Sequence, residues 1–509
     1  MIRIENLRAI ISDNSITLFW DKPQCDADIV YQVMISQEGQ FEKVAGETVT
    51  THFTIEDMQQ NMLYHCKIEG KSQAEDSVIA SGEIDVKTPS KKNRIDVTKP
   101  PYMAIGDGKE LNTARLQRAF DDCGPSDMVY IPAGTFMTGA LKMHSNMELY
   151  LDENAILQGT DKVEDYLPKI KSRFEGTENE SYSSLLNLGE LDRNGGYSCQ
   201  NVIIRGKGTI ASGGKTLASR VISLESILQK DFIESERERL GSYERAETIP
   251  GRVRPRLIQM CNCQNIVLSG LTFKDGASWN IHMIYSDNIV TSNCTFYSEN
   301  VWNGDGWDPD SSTNCTIFGC TFYTGDDSIA IKSGKNPEGN IVNKPTKHVR
   351  IFDCKCAFGH GIAIGSEMSG GIEDVRIWDC DMSKSLYGIE IKATKKRGGY
   401  VREVHVDNCK VSRIMFHSVG YNDDGIGAEK PPVFEKCSFR KVHIIGECYD
   451  HAHEWHDCDA IELAGFDEEE YEIKDILMQD IKLGQKDSKK KQTLSLQLCK
   501  NITLERIQA

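Results

Sequence analysis

The chain has 509 residues, of which 39% are hydrophobic and 27% charged, and its formal net charge is −17. That balance is globular rather than disordered, and no run approaches the roughly 18 apolar residues of a membrane span. The acidic excess argues against a nucleic-acid partner, and it would repel a polyanion unless cations gather locally. The length exceeds one ordinary compact core and suits an elongated repeat fold.

The chain opens Met1-Ile2-Arg3-Ile4-Glu5-Asn6, without the basic start, apolar core and small-residue cleavage site of a secretory leader, so a cytoplasmic location is expected. The seventeen cysteines are odd in number, and a chain of this size does not need staples. Residues 1–90 then read as short alternating strands at 15–20, 31–35, 63–68 and 83–88, separated by turn formers, which is the pattern of a small antiparallel sandwich. Trp20, the strand at Tyr31 and the strand from Leu63 to Ile68 resemble a fibronectin type III module. Residues 91–100 read as a linker, and the remainder, 101–509, as a second domain.

That domain opens on a helix for which Asn112 is the expected cap and Leu116, Ala119, Phe120 and Cys123 the apolar stripe. A repeat follows. Asn265-Ile-Val-Leu, Asn288-Ile-Val-Thr, Asn314-Cys-Thr-Ile, His348-Val-Arg-Ile, Asp374-Val-Arg-Ile and Glu403-Val-His-Val share one pattern, with register positions 23, 26, 34, 26 and 29 residues apart. Six residues after each register position stands Leu271, Cys294, Cys320, Cys354, Cys380 or Cys409. Equivalent positions of a β-solenoid stack about 4.8 Å apart, so these read as free thiols packed as small hydrophobes. The fold expected is all-β: a right-handed parallel β-helix preceded by the sandwich.

Two segments interrupt the ladder, Asn303-Gly-Asp305-Gly-Trp-Asp308-Pro-Asp310 and Gly325-Asp326-Asp327. Asp305 precedes Asp326 and Asp327 by about one coil, so the three carboxylates can meet on one face. Asp326 lies 12 residues past register position 314 and His360 lies 12 past 348, which sets His360 beside Asp326 on the next coil. Lys332 and Lys392 are each 18 past theirs, with Lys335, Lys395, Lys396 and Arg397 near. Taken singly, an Asp pair is a turn or a solvated rim, Gly-His-Gly a tight turn, and the lysines a solvated face. Their common phase favours a site. Crowded carboxylates keep one acid protonated while another stays ionised, as glycoside hydrolysis requires.

Asn303-x-Asp305-Gly-x-Asp308, Gly325-Asp326-Asp327, Gly359-His360-Gly361 and Ile391-Lys392, in that order, resemble the polygalacturonase family of glycoside hydrolases, family 28, with the bacterial exo-acting type suggested by the front module. Arg254-Pro-Arg256 and Ser278-Trp279-Asn280-Ile281-His282 add to the likeness. The resemblance implies an inverting, metal- and cofactor-independent hydrolase of α-galacturonosyl linkages in pectic oligosaccharides. Asp326 would be the general acid, Asp305 and Asp327 would activate water, and His360 would tune the acid. Lys392 would bind a galacturonate carboxylate, and Lys332, Asn303, Trp279 and His282 would line the site. Glu390 departs from the family, which usually has Arg there. A rhamnogalacturonan or decorated oligomer is therefore the alternative substrate, unless Lys332, Lys395 or Arg397 supplies the charge. An insertion at about 213–250 is expected to close one end of the cleft. A pectate-lyase-like enzyme and a non-catalytic carbohydrate-binding solenoid are the rival readings. Cys448, His451, His453, His456 and Cys458 could ligate zinc, but their spacing matches no standard finger, and no metal is assigned.

Overall fold

The structure is a computed structural model that describes residues 1–37, 42–75, 77–235, 248–418, 420, 426–484 and 494–508. The chain divides into two compact units, Met1–Asn93 and Arg94–Ala509.

The first unit has a five-stranded and a three-stranded sheet. The predicted strands lie within Ile16–Phe19, Ile29–Gln37, Leu63–Ser72 and Val78–Lys87. Leu63–Ser72 alternates buried and less buried residues along its length, as a half-buried strand must. Its inward side chains Tyr64, Cys66 and Ile68 meet Ile16, Leu18 and Val33. Trp20, 1% exposed, sits edge-on to Tyr31 with ring centroids 5.1 Å apart. The stretch read as a linker is partly ordered as strand: Asn93–Asp96 is the edge strand of a 13-stranded sheet.

The second unit is a stack of coils, each contributing to three long sheets of 11, 12 and 13 strands. Successive coils pair in parallel and in register. The helix Thr113–Asp121 buries Leu116, Ala119 and Phe120. Asn112 does not cap it with its side chain. Instead Asn112 Oδ1 accepts from the Ile105 N–H at 2.8 Å and Nδ2 donates to the Ile105 and Glu110 carbonyls. A partner outside the helix competes for the group that a cap would use.

All six register positions have positive φ: Asn265 57°, Asn288 53°, Asn314 53°, His348 58°, Asp374 51° and Glu403 57°. Asparagine tolerates this left-handed conformation better than most residues, which explains its recurrence there. The residue after each, from Ile289 through Cys315, Val349 and Val375 to Val404, is fully buried. Each such aliphatic side chain stabilises the interior by about 1.5–3 kcal/mol. The register side chains also bond along the stack, Asn288 Nδ2 to Asn265 Oδ1 at 2.8 Å and Asn265 Nδ2 to Asn201 Oδ1 at 3.0 Å. The long 34-residue spacing holds the helix Glu338–Val342, between Ile329–Ile331 and Thr346–Phe352.

The thiol column is present. Cys294, Cys320, Cys354, Cys380 and Cys409 are each at most 3% exposed, and burial pushes the last four well above the usual thiol range. All seventeen cysteines are free; Cys25, Cys458 and Cys499 are half-buried and the others are buried. A thiol reagent should therefore titrate about three groups in the native protein. It should titrate all seventeen after denaturation without reductant. A smaller denatured count would reveal disulfides.

Candidate active site

Four consecutive strands of the 11-stranded sheet carry the site: Trp307–Asp310, Ile329–Ile331, Gly361–Ile364 and Gly388–Ala393. Backbone bonds between coils fix its columns. The His360 N–H donates to the Asp326 carbonyl at 3.0 Å, and the Tyr387 N–H donates to the His360 carbonyl at 2.9 Å. Gly359 and Gly361 flank His360 at φ of 116° and 102°, and a Cβ on Gly361 would collide with the Gly388 carbonyl. Gly-His-Gly is thus a tight turn and also the mount of a site histidine.

Asp305, Asp326, Asp327, Lys332, Lys392, Asn303 and Trp279 line one cavity of about 210 Å³, together with Lys335, Arg397, Glu175 and Glu367. His360 lines a second, wider cavity of about 800 Å³, and the two share Asp326, Asn303 and Glu175. Asp326 therefore stands on the boundary between two compartments.

His360 Nδ1 is 2.9 Å from Asp326 Oδ1 and 3.2 Å from Asp327 Oδ1. Burial alone would lower His360, but Asp326 and then Asp327 outweigh it and push it up to about 10. Burial would raise Asp326, but His360, Lys392 and Lys332 hold it below the usual carboxylate range. The pair holds one proton between its two members. Asp305 differs. Burial, reinforced by Asp326, Asp327 and Glu367, pushes it well above the usual range, even though Lys332 Nζ is 3.3 Å from its Oδ2. Asp308, one turn of chain further, is fully buried and pushed up by burial and by Asp305. One of the crowded carboxyls is thus held protonated and another ionised.

Lys332 also lies 4.6 Å over the Trp279 ring, and Trp279 stacks on Phe174 at 4.6 Å. Lys392 Nζ is 3.6 Å from Asp327 Oδ2 and 2.8 Å from Glu390 Oε2. Arg397, 1% exposed, is held by the Ser366 carbonyl and Asn336 Oδ1 at 2.8 Å each.

Two residues expected at the surface of the site lie behind it. His282 is fully buried, T-shaped against Trp279 at 4.7 Å, with Nε2 3.3 Å from Asp310 Oδ2. Burial pushes it down to about 4, so it is neutral and supports the tryptophan. Glu390 is 3% exposed and lies between Lys392 and His417, whose Nε2 is 3.1 Å away. Burial opposes its charge, but Lys392 and His417 prevail and hold it down at about 2. Its negative charge is therefore answered locally. Lys395 pairs with Glu468 and is absent from the cavity lining, whereas Lys335 and Arg397 are in it.

Beneath the cavity lies a layer of buried arginines. Arg254 Nη2 donates to Asn303 Oδ1 at 2.6 Å, Arg256 lies 4.5 Å over Phe174, and Arg173 Nη1 donates to Asp310 Oδ1 at 2.8 Å with both side chains at 0% exposure. Sequence reasoning noted Arg254 and Arg256 only as likenesses and missed Arg173, Glu175 and Glu367. No periodic signal marks them, because they reach the site from outside the repeat.

The five residues considered for zinc do not converge. Cys448 and His456 lie on a hairpin of Glu447–Tyr449 and Trp455–Asp457. His456 pairs with Asp450, His453 with Glu299, and His451 with His360. Among the described residues, the three metal-capable donors within 4.8 Å of one another are Asp326, Asp327 and His360. An imidazolium between two carboxylates accounts for that convergence, since its Nδ1 carries a proton instead of an available lone pair. The insertion expected to close the cleft lies partly outside the described residues; Gly214–Leu228 and Lys230–Ser235 are helices.

Arg173→Met should destabilise the fold by about 3–5 kcal/mol in chemical denaturation, because Asp310 would be left charged and unpaired in the interior. A change below about 1 kcal/mol would show that His282 alone compensates Asp310.

Residues 128–424 match the Glycosyl hydrolases family 28 model, and residues 3–84 match the fibronectin type III domain. The chain is 32% identical over 319 residues to a probable polygalacturonase of Vitis vinifera, covering 60% of this chain and 58% of that protein. It is 26% identical over 449 residues to an exo-poly-alpha-D-galacturonosidase of Dickeya chrysanthemi, covering 80% of this chain and 74% of that protein. Its fold resembles that of the family 28 exopolygalacturonase of Yersinia enterocolitica, with a TM-score of 0.81 and 21% identity over 100% of this chain and 96% of that one. With the parallel β-helix, the three crowded carboxylates and a family match over more than half its length, the chain belongs to family 28 of the glycosyl hydrolases.

Proposed function

We propose that this chain removes galacturonate units from the end of pectic oligosaccharides by inverting hydrolysis of α-galacturonosyl linkages. The observation that carries the reading is the composition of the smaller cavity. Asp305, Asp326 and Asp327 share about 210 Å³ with Lys332, Lys335, Lys392 and Arg397. Three carboxylates provide the acid–base pair, and four cations provide what an acidic protein otherwise lacks for a uronate. Arg397 and Lys335 take over the charge expected from the family arginine, so Glu390 does not make the pocket hostile to galacturonate. The exo-acting name of the Dickeya chrysanthemi relative supports cleavage from an end.

In this reading Asp326, at the boundary of the two cavities, protonates the leaving oxygen with the proton it shares with His360. Asp327 deprotonates the attacking water, and Asp305, which keeps its own proton, helps to orient it. Lys392 steadies the charge of Asp327 at 3.6 Å, and Lys332 holds Asp305 in place at 3.3 Å. A reducing compartment belongs to the same proposal, supported by the free cysteines; fractionating native cells against a cytosolic marker tests it.

On defined oligogalacturonides, monomer should appear from the first time points, with the viscosity of long polygalacturonan falling slowly. NMR should show the released sugar first as the β-anomer. Asp326→Asn should lower kcat by about 10²–10⁴-fold while binding persists. Rapid viscosity loss would overturn exo action, unsaturated products would indicate a lyase, and preference for rhamnogalacturonides would move the substrate assignment.

The pH profile gives a second check. His360 is raised above its ordinary 6.5 to about 10, so the shared proton is fully held below 6.5 and lost only as pH rises through about 10. kcat/KM should therefore retain its alkaline limb well above pH 8. A limb at 6.5 would show that the carboxylates do not hold the imidazolium.

A further inference from the structure

His451 is one of the residues left over from the rejected zinc grouping. It sits between the hairpin strands Glu447–Tyr449 and Trp455–Asp457, 91 residues along the chain from His360. Yet its Nε2 is 3.0 Å from His360 Nε2, with ring centroids 5.1 Å apart at 67°. The hairpin is held over this edge of the site by aromatic contacts to Phe358, which meets Tyr449 at 6.1 Å, His451 at 5.7 Å and His453 at 4.6 Å. His453 Nε2 is anchored to Glu299 Oε1 at 2.7 Å.

Two nitrogens 3.0 Å apart need one donor and one acceptor. His360 Nδ1 faces two carboxylate oxygens and so carries a proton. When the ring is an imidazolium, Nε2 carries one as well, and His451 must then accept through a neutral Nε2. His451 agrees with that role, since partial loss of solvent where it meets the protein, and then the charge of His360, push it below its ordinary value.

We propose that His451 is a positioning residue that holds the Nε2 proton of His360 in place, reserving Nδ1 to carry the catalytic proton from Asp327 back to Asp326. The proposal rests on the hydrolase reading of the site. After each cleavage Asp326 has given its proton to the leaving oxygen, and Asp327 has taken one from water. The enzyme must return that proton before the next cycle. His360 Nδ1 lies within hydrogen-bond reach of both carboxylates. The pair has spent its one proton, so Nδ1 is left as a lone pair, and it takes the proton from Asp327 Oδ1 to share again with Asp326. The imidazolium is restored beside Asp326, one proton has moved from Asp327 to the pair, and no other reactant is consumed. This works only while the second ring proton stays on Nε2, and a neutral acceptor at 3.0 Å keeps it there.

Among the described residues, the following groups face this pair. His360 is faced by Asp326, Asp327, the Tyr387 ring at 4.9 Å and His451. His451 is faced by His360, Phe358 and the charges of Asp326, Asp450 and Glu299.

The test compares wild type, His451→Phe and His451→Gln in the full chain on a galacturonide oligomer, with kcat, KM and the alkaline limb of kcat/KM measured for each. Phenylalanine keeps the ring but cannot accept a hydrogen bond; glutamine can. His451→Phe should lower kcat about tenfold or more with KM little changed. It should also move the alkaline limb down by about one pH unit, because the imidazolium loses an acceptor. His451→Gln should recover most of both. A His451→Phe enzyme with wild-type kcat and pH profile overturns the proposal, as does a glutamine variant as impaired as the phenylalanine one. Since His451 is exposed, both variants should melt near wild type; if His451→Phe melts early, the Gln variant's pH limb decides alone. If wild type itself releases no galacturonate, the reading of the site has failed, a different outcome from an active wild type indifferent to residue 451.

Discussion

Everything in the second unit depends on parallel coils hydrogen-bonding in register at about 4.8 Å. A one-residue slip would turn every inward side chain outward. It would also separate Asp326 from His360, whose backbones are bonded directly to each other. The buried valines, the thiol column and the left-handed register positions all hold this one alignment. The catalytic geometry follows from it, because three carboxylates from neighbouring coils have little freedom to move apart.

The same closeness creates an electrostatic problem. Carboxylates gathered in a poorly solvated space repel one another and prefer to be neutral. The structure answers in two ways. Asp305 and Asp308 are left to hold protons, whereas Asp326 is paired with an imidazolium and Asp310 with Arg173. Lys332 and Arg173 stand against the acids directly, at 3.3 Å from Asp305 and 2.8 Å from Asp310. A net charge of −17 thus coexists with a cavity in which four cations, Lys332, Lys335, Lys392 and Arg397, stand among the acids.

What could be read from the sequence was what the repeat controls. The phase of Asp326 and His360, the equivalence of Lys332 and Lys392, and the thiol column all come from counting a fixed offset past each register position. Residues outside that count were misplaced or missed. His282 carries the family-like spacing but is on an inward layer, and only packing against Trp279 and Asp310 reveals this. Glu390 stands in the sequence as an acid where an Arg is expected, and the histidine that answers it, His417, is one coil away. Asn112 resembled a cap until a backbone partner at Ile105 claimed its side chain. Glu367 and His451 reach the site from excursions with no periodicity, so no spacing argument could place them. His451 was instead grouped with its neighbours in sequence.

The 34-residue coil separates two kinds of residue in the site. Its extra residues, including the helix Glu338–Val342, lie between strands that remain in register with those above and below. They also bring Lys335 to the cavity. The crowded carboxylates are fixed by the stack itself, whereas Lys335 hangs from an excursion between two of its strands. A change in the length or charge of that excursion would therefore alter a cation of the cavity and leave the register of the carboxylates as it is.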